Sequence, residues 1–328
     1  MKPLIGLLAI LLTACSSSAS EQSDILLIGN KGEDTVSFID LATGEELTRI
    51  STSAKAPHEI AISPNDEFAA VVNYGSAAID IIDISDRNII HTYELGDNKN
   101  PHGIIWQDDG RIFATTEGGQ SMVAISNGKT WSDRQIQSIK TNEDGTHMLV
   151  VSDDGKRAYT VNLGGGTVSL IDLEQGKLIS TQGGGNQPEG IDLAKNDTEL
   201  WISARGGNVV YVMDALSLKG LAEIEVGKFP LRLAISPDGS KAVTSNLRDG
   251  SLTVIDVETR KVERTIEVSG SPVSAQVTIL FSDDGKNIYA AETGTDTIAE
   301  IDFNTGDVLR RLPAGRQGDG LAIVSGTP

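Results

Sequence analysis

Short apolar runs that alternate with polar residues recur along the whole chain, and many close on an acidic residue. The runs are "VSFID" ending at Asp40, "IDIID" at Asp83, "VSLID" at Asp172, "VYVMD" at Asp214, "LTVID" at Asp256 and "IAEID" at Asp302. A degenerate copy, "MVAIS" ending at Ser126, fills the gap between the second and third, so seven copies recur about every 43 residues. A second marker keeps the same interval, a turn of the Ser-Pro-Asp-Gly kind: "SPND" from Ser63, "QDDG" from Gln107, "SDDG" from Ser152, "AKND" from Ala194, "SPDG" from Ser236 and "SDDG" from Ser282. Alternation over five or six positions, broken at Gly, Asn and Asp, is strand periodicity with turn chemistry, four strands to a repeat. Outside the N-terminal segment no stretch has the 3.6-residue spacing of an amphipathic helix.

Such a repeat predicts an all-β, seven-bladed β-propeller with four-stranded antiparallel blades, each burying its faces only against its neighbours. The last copy ends in a lone apolar strand, "GLAIV" from Gly320, while the N-terminal "DILLIGN", "TVSFID" and "LTRIST" lack an innermost partner. Pairing these termini completes the seventh blade and removes two exposed sheet edges. The phrases "VGKFPLRLAISPDGSKAVTSN", "AYTVNLGGGTVSLIDLEQGK" and "QPEGIDLAKNDTELWIS" resemble the YVTN-type seven-bladed repeat of bacterial secreted and surface proteins, from about Asp24 onward. The resemblance implies the fold; its members include enzymes and binding proteins, so it does not assign an activity.

The ends divide the chain into 1–14, 15–24 and 25–328. One lysine, the apolar run Leu4 to Leu12 and then small residues read as a secretory signal, too short for a stable spanning helix. "LTAC" resembles the bacterial lipobox, which implies cleavage before Cys15, the one cysteine of the chain, and lipid on its sulfur and new amino terminus. In a Gram-negative cell, the lipobox resemblance with Ser16 rather than aspartate after the cysteine implies sorting to the outer membrane, facing periplasm or surface; the sequence does not give the cell type. Residues 15–24 are then a flexible linker, and 25–328 the propeller. With Cys15 lipidated no thiol remains for disulfides or thiolate metal sites. Without Lys2, 26 Lys and Arg stand against 46 Asp and Glu, a balance that excludes nucleic acid as partner and electrostatic docking on anionic lipid.

Histidine is where candidate chemistry concentrates. Five residues before each turn marker stand His58, His102, His147, Glu189, Leu231 and Val277, and Asp319 fills the slot in the closing blade by matching "GDGLAI" to "PHEIAI". Three of the four histidines thus share one repeat position in consecutive blades, and ring closure makes the polar arc continuous from Asp319 to Glu189. The slot falls at the entry of the innermost strand, at one mouth of the central channel. Neutral imidazoles with a carboxylate suit a divalent metal such as zinc, copper, iron or nickel. They equally suit hydrogen bonding that holds the blades in register, or acid/base work without metal. Clustered imidazoles resist simultaneous protonation, which predicts sensitivity to pH between roughly 5 and 7.

The loop after the second strand adds secondary candidates. Its first positions read Asn30, Asn73, Glu117, Asn162, Arg205, Asn246 and Glu292, the asparagines expected as turn formers with left-handed backbone. Glu117, Arg205 and Glu292 depart from that pattern and are candidate ligand contacts. Arg232, next to the slot, is expected in a surface ion pair or on a carboxylate or phosphate. His91 is expected to be exposed, and Trp106, Trp131 and Trp201 to be packing residues from different parts of the repeat. "LGGGT" and "QGGGN" open no helix, so no phosphate loop is predicted, and no "GxSxG" occurs. The expected function is binding of a metal, small ligand or envelope protein at the histidine mouth. The alternative is a hydrolase or lyase resembling propeller lactonases or metal-dependent streptogramin lyases.

Overall fold

The structure, a computed structural model, describes residues 23–326; the signal segment and Cys15 lie outside the described residues. Twenty-eight strands form seven four-stranded antiparallel sheets. The helical pieces among the described residues are two short 3-10 turns, Trp131–Asp133 and Pro272–Ser274. Blade 1 is the closing blade: its innermost strand Gly318–Val324 pairs with Ile25–Asn30, followed outward by Thr35–Asp40 and Glu46–Ser51. Blades 2 to 7 follow in chain order, each running from the axis outward. The ring therefore closes as the sequence predicts, with Ile25 opposite Val324 and Gly29 opposite Gly320.

Position in the blade explains the two hydrophobic patterns. Middle strands are covered on both faces by neighbouring blades and read as continuous apolar runs, as in Ile25–Asn30 and Phe68–Asn73. Outer strands face solvent on one side and alternate, as in Glu46–Ser51 and Lys177–Gly183. Each of the seven blade interfaces has its own apolar cluster. Between blades 1 and 2, for example, Leu27 and Phe38 pack on Ile60, Val71 and Ile82.

The two repeat markers are hydrogen-bonding devices at the turns. The third-strand aspartates Asp40, Asp83, Asp172, Asp214, Asp256 and Asp302 each accept the N–H of the residue three further on, which closes a tight turn to the outer strand. Ser126 cannot repeat this, and blade 3 runs instead through the longer segment 126–135. In the second marker, Ser63, Ser152, Ser236 and Ser282 accept the N–H five residues on, fixing the turn from innermost to second strand.

Inner strands of adjacent blades approach too closely for side chains at some positions. A Cβ on Gly320 would overlap the His58 carbonyl oxygen, and one on Gly190 would lie 2.7 Å from the Leu231 carbonyl oxygen. Gly320→Ala is therefore expected to cost about 3 kcal/mol by overpacking, read as a lowered urea midpoint at unchanged slope. An unchanged midpoint would contradict the closure described here.

Candidate functional site

Two backbone features, repeated in every blade, aim side chains at one mouth of the channel. The residue two before the slot has positive φ in all seven blades: Ala56 52°, Asn100 54°, Gly145 67°, Gln187 55°, Phe229 61°, Ala275 46° and Gln317 55°. Its carbonyl accepts the N–H of the residue just past the second strand, namely Tyr74, Glu117, Leu163, Arg205, Leu247, Thr293 and Lys31 in turn. Immediately afterwards each inner strand carries one extra residue in its register, a β-bulge. The bulge breaks the alternation, so two consecutive residues can address the axis instead of one.

The slot residues His58, His102, His147, Glu189 and Asp319 are all buried at this mouth. The rings of His58, His102 and His147 stack, with centroids 4.1 Å and 3.7 Å apart and tilts of 45° and 37°. His147 is held at both nitrogens: Nδ1 bonds Glu117 Oε1, and Nε2 lies 2.8 Å from Glu189 Oε1. Tyr74 donates its hydroxyl to the other oxygen of Glu117 at 2.7 Å. Arg232 crosses the channel from blade 6 to pair with Glu59 of blade 2 at 2.6 Å and Glu189 at 3.1 Å. Arg205 reaches Glu189 at 2.7 Å. Asp319 accepts from Lys31 at 2.5 Å and Thr278 at 2.9 Å, and lies 3.3 Å from His58 Nε2. All of these but Glu59 and Thr278 line a cavity of about 410 Å³, whose lining Ala56, Leu163, Phe229, Leu231, Leu247 and Val277 complete.

Each charge state follows from its surroundings. Burial pushes His102 well below the ordinary imidazole value, and the charge of its neighbour His147 adds to the effect, so it is neutral. Burial opposes charge on His147 too, but the Glu189 and Glu117 carboxylates outweigh it and raise the group. Burial would raise Glu189; His147, Arg232 and Arg205 instead hold it at about 2. In the same contest Lys31 and Arg232 keep Asp319 ionised against burial, and Arg232 keeps Glu59 so.

Several sequence expectations change here. Arg232 is not in a surface pair: it is buried across the axis. The asparagines are not left-handed turn formers; Asn30, Asn73, Asn162 and Asn246 end the second strand, fully buried, and donate to third-strand side chains such as Ser37, Asp80, Ser169 and Thr253. Their counterparts in blades 3 and 5 are Thr116 and Ala204, so Glu117 and Arg205 belong one position later, with Lys31 and Tyr74. That slip hid Lys31 and Tyr74 as mouth residues, and the positive-φ partner is the signal that recovers them. Glu292 stays in the asparagine position, buried against Arg311 at 2.6 Å and Thr297 at 3.2 Å, away from the mouth. His91 is half-buried and meets the Tyr93 ring edge-on at 4.5 Å.

Donor atoms of His58, Glu59 and His102, or of His102, Glu117 and His147, lie within 4.8 Å of one another, so either group could hold a metal ion. The first group fits better: His58 Nδ1 and His102 Nδ1 are buried without hydrogen-bond partners, whereas both nitrogens of His147 are engaged.

These features define a seven-bladed propeller with a charge-paired cup at one mouth of its channel. The chain matches the family described as lactonase, 7-bladed beta-propeller, over residues 39–281, and it belongs to that family. It is 26% identical over 245 residues to the hydrazine synthase subunit beta of Kuenenia stuttgartiensis, covering 68% of this chain and 59% of that one. It is 22% identical over 206 residues to an uncharacterized protein of Staphylococcus aureus, covering 58% and 60%. The chain thus spans about three fifths of the length of these curated relatives. Among solved structures, Kuenenia stuttgartiensis hydrazine synthase superposes with TM-score 0.70 at 15% identity, over 83% of this chain and 90% of that one. Dihydro-heme d1 dehydrogenase NirN in complex with DHE gives 0.69 at 13%, over 95% and 77%. A functionally unknown protein from Desulfotomaculum acetoxidans gives 0.78 at 13%, over 93% and 100%. At these identities the structural likeness establishes the fold.

His147→Gln removes a cation from between two carboxylates and is expected to cost about 3 kcal/mol at pH 6. Because the folded-state imidazole is raised, its stabilisation is present in full below its unfolded value and is lost as pH rises through the folded one. Urea unfolding of wild type and variant should therefore show the difference shrinking from pH 6 to pH 9. A difference that grows over that range would contradict the raised imidazole.

Proposed function

We propose that the protein is a lipid-anchored, extracytoplasmic propeller that binds a small molecule with a polar, carbonyl- or carboxyl-bearing head and an apolar body in the histidine mouth. The observation that carries this reading is the division of the cup. Blades 1, 2, 3 and 5 offer Lys31, Tyr74, His102 and Arg205 as polar partners, and blades 6 and 7 add the apolar Phe229, Leu231, Leu247 and Val277. Concave, half-apolar cavities with a few fixed polar groups are the usual form of small-ligand sites. Because its charges are already paired, the cup is preorganised, and binding loses little to rearrangement.

The chain enters and leaves the propeller at the opposite face. Ser23 bonds the turn aspartate Asp40 at 2.7 Å, and the Gly326 N–H donates to Asp24 at 2.9 Å. A lipid on Cys15, with a tether reaching up to about 28 Å at full extension, would hold that face toward an outer membrane and the cup away from it. Cys15→Ser should then release the protein into the aqueous phase on detergent partitioning. Retention in the detergent phase would remove the anchor from the account.

A second reading, lactonase-like hydrolysis, is favoured by one observation: a neutral histidine, His102, with a free buried nitrogen stands beside a cationic one. His102 would act as the base, and His58, Glu59 and His102 would be the set to hold zinc, copper or iron if a metal takes part. The test is thermal unfolding of a form beginning near Ser20 against short-chain carboxylic acids and lactones, with zinc, copper(II) and iron(II) in parallel. A rise of about 3 °C or more with an acid or lactone, lost in Arg205→Gln and Phe229→Ser, supports binding. Lactone turnover lost in His102→Ala moves the site to hydrolysis, and a response to metal alone moves it to a metal centre.

A further inference from the structure

The largest departure from the repeat lies at the opposite end of the channel, in blade 3. Where six blades end the third strand on an aspartate that closes a tight turn, this blade has Ser126 and the segment 126–135, pinned by Ser126 N–H to the Gln135 carbonyl at 2.9 Å. Gly128 lets the segment fold on itself, since a Cβ there would lie 2.9 Å from Arg134 Cγ. The fold carries Trp131 over the seam between blades 2 and 3. There its ring meets Phe68 edge-on at 5.0 Å and Trp106 at 6.0 Å, and its carbonyl accepts the Tyr93 hydroxyl at 3.1 Å. Two of the three tryptophans, expected from sequence to be unrelated, thus stand together.

These residues line a cavity of about 500 Å³, completed by Ser63, Asn65, Lys129 and Arg134. Its charge is unlike that of its surroundings. The chain carries a net charge of −19, and acidic turn markers crowd this face, yet no carboxylate lines the cavity and two cations do. Arg134 sits 4.7 Å from the Trp131 ring and 5.8 Å from that of Trp106. One of its terminal nitrogens donates to the Gly110 carbonyl at 3.0 Å, while its Nε is buried with no partner. Lys129 is exposed at its rim.

The geometry points to a second binding site in this cavity, for a planar ring compound carrying an anionic group. Its ring would lie among Phe68, Trp106 and Trp131, and its anion would meet Lys129 and Arg134. Aromatic side chains bind flat apolar rings by offset or edge contacts, and a guanidinium supplies directed donors to a carboxylate or sulfonate. In an otherwise acidic field, a local pair of cations selects anions over neutral rings of the same shape.

The experiment is calorimetric titration of the soluble chain with 2-naphthoate, and with 2-naphthalenemethanol as its neutral analogue. The site predicts saturable naphthoate binding with tryptophan fluorescence change, at least about tenfold tighter than the alcohol. Arg134→Gln and Trp131→Ala should each weaken naphthoate about tenfold or more, whereas His102→Ala, at the other mouth, should leave it unchanged. Circular dichroism and unfolding midpoints near wild type confirm that the variants fold. Equal binding of acid and alcohol, or full affinity in folded Trp131→Ala, would overturn the site; loss in His102→Ala alone would place the ligand in the histidine mouth instead.

Discussion

Buried charge must be neutralised nearby, and the axial cup of this propeller is built around that requirement. Four carboxylates, Glu59, Glu117, Glu189 and Asp319, converge at one channel mouth against three permanent cations, Lys31, Arg205 and Arg232. The fourth positive charge is His147, held between Glu117 and Glu189. The network touches every blade, with Asp319 of blade 1 joined to Thr278 of blade 7 and Arg232 of blade 6 to Glu59 of blade 2. Ring closure and the polar cup therefore support each other. The apolar clusters hold neighbours together pairwise, and the charges tie blades across the axis.

The same requirement divides the labour among the three stacked imidazoles. His147 carries the charge; burial keeps His102 neutral, and the charge beside it adds to that effect. A neutral imidazole with one buried, unpartnered nitrogen thus stands beside a cationic one in the lining of the cup. Membership of the lactonase propeller family is compatible with chemistry at that nitrogen, while the paired surroundings are those of a preformed binding cup.

Much of this was legible in the sequence because blade geometry writes itself as a period. The aspartates at the third-strand ends and the serine turns mark each blade, and counting from them brought His58, His102, His147, Glu189 and Asp319 to one place. What counting missed has a physical reason. Side chains in an antiparallel blade are assigned by register, and a one-residue slip between Thr116 and Glu117, or Ala204 and Arg205, changes which residue faces the axis. The β-bulge after each slot adds a second axial residue, so Glu59 and Arg232 entered a cup that simple alternation reserves for one residue per strand. Ionic partners across the ring, 173 residues apart for Arg232 and Glu59, leave no local trace. Blade 3 teaches the converse: its missing aspartate was visible as degeneracy, but only the folded segment shows that it gathers Trp131, Trp106 and Phe68.

The central claim, that one imidazole in the stack is a cation and its neighbour is not, is tested most directly by nitrogen-15 NMR of the histidine-labelled protein. The account predicts that His147 keeps both ring nitrogens protonated to higher pH than a free imidazole does, and that His102 stays a neutral tautomer to lower pH. Finding that His147 loses its proton at or below the pH of a free imidazole, or that His102 titrates near 6.5 as a free imidazole does, would contradict it.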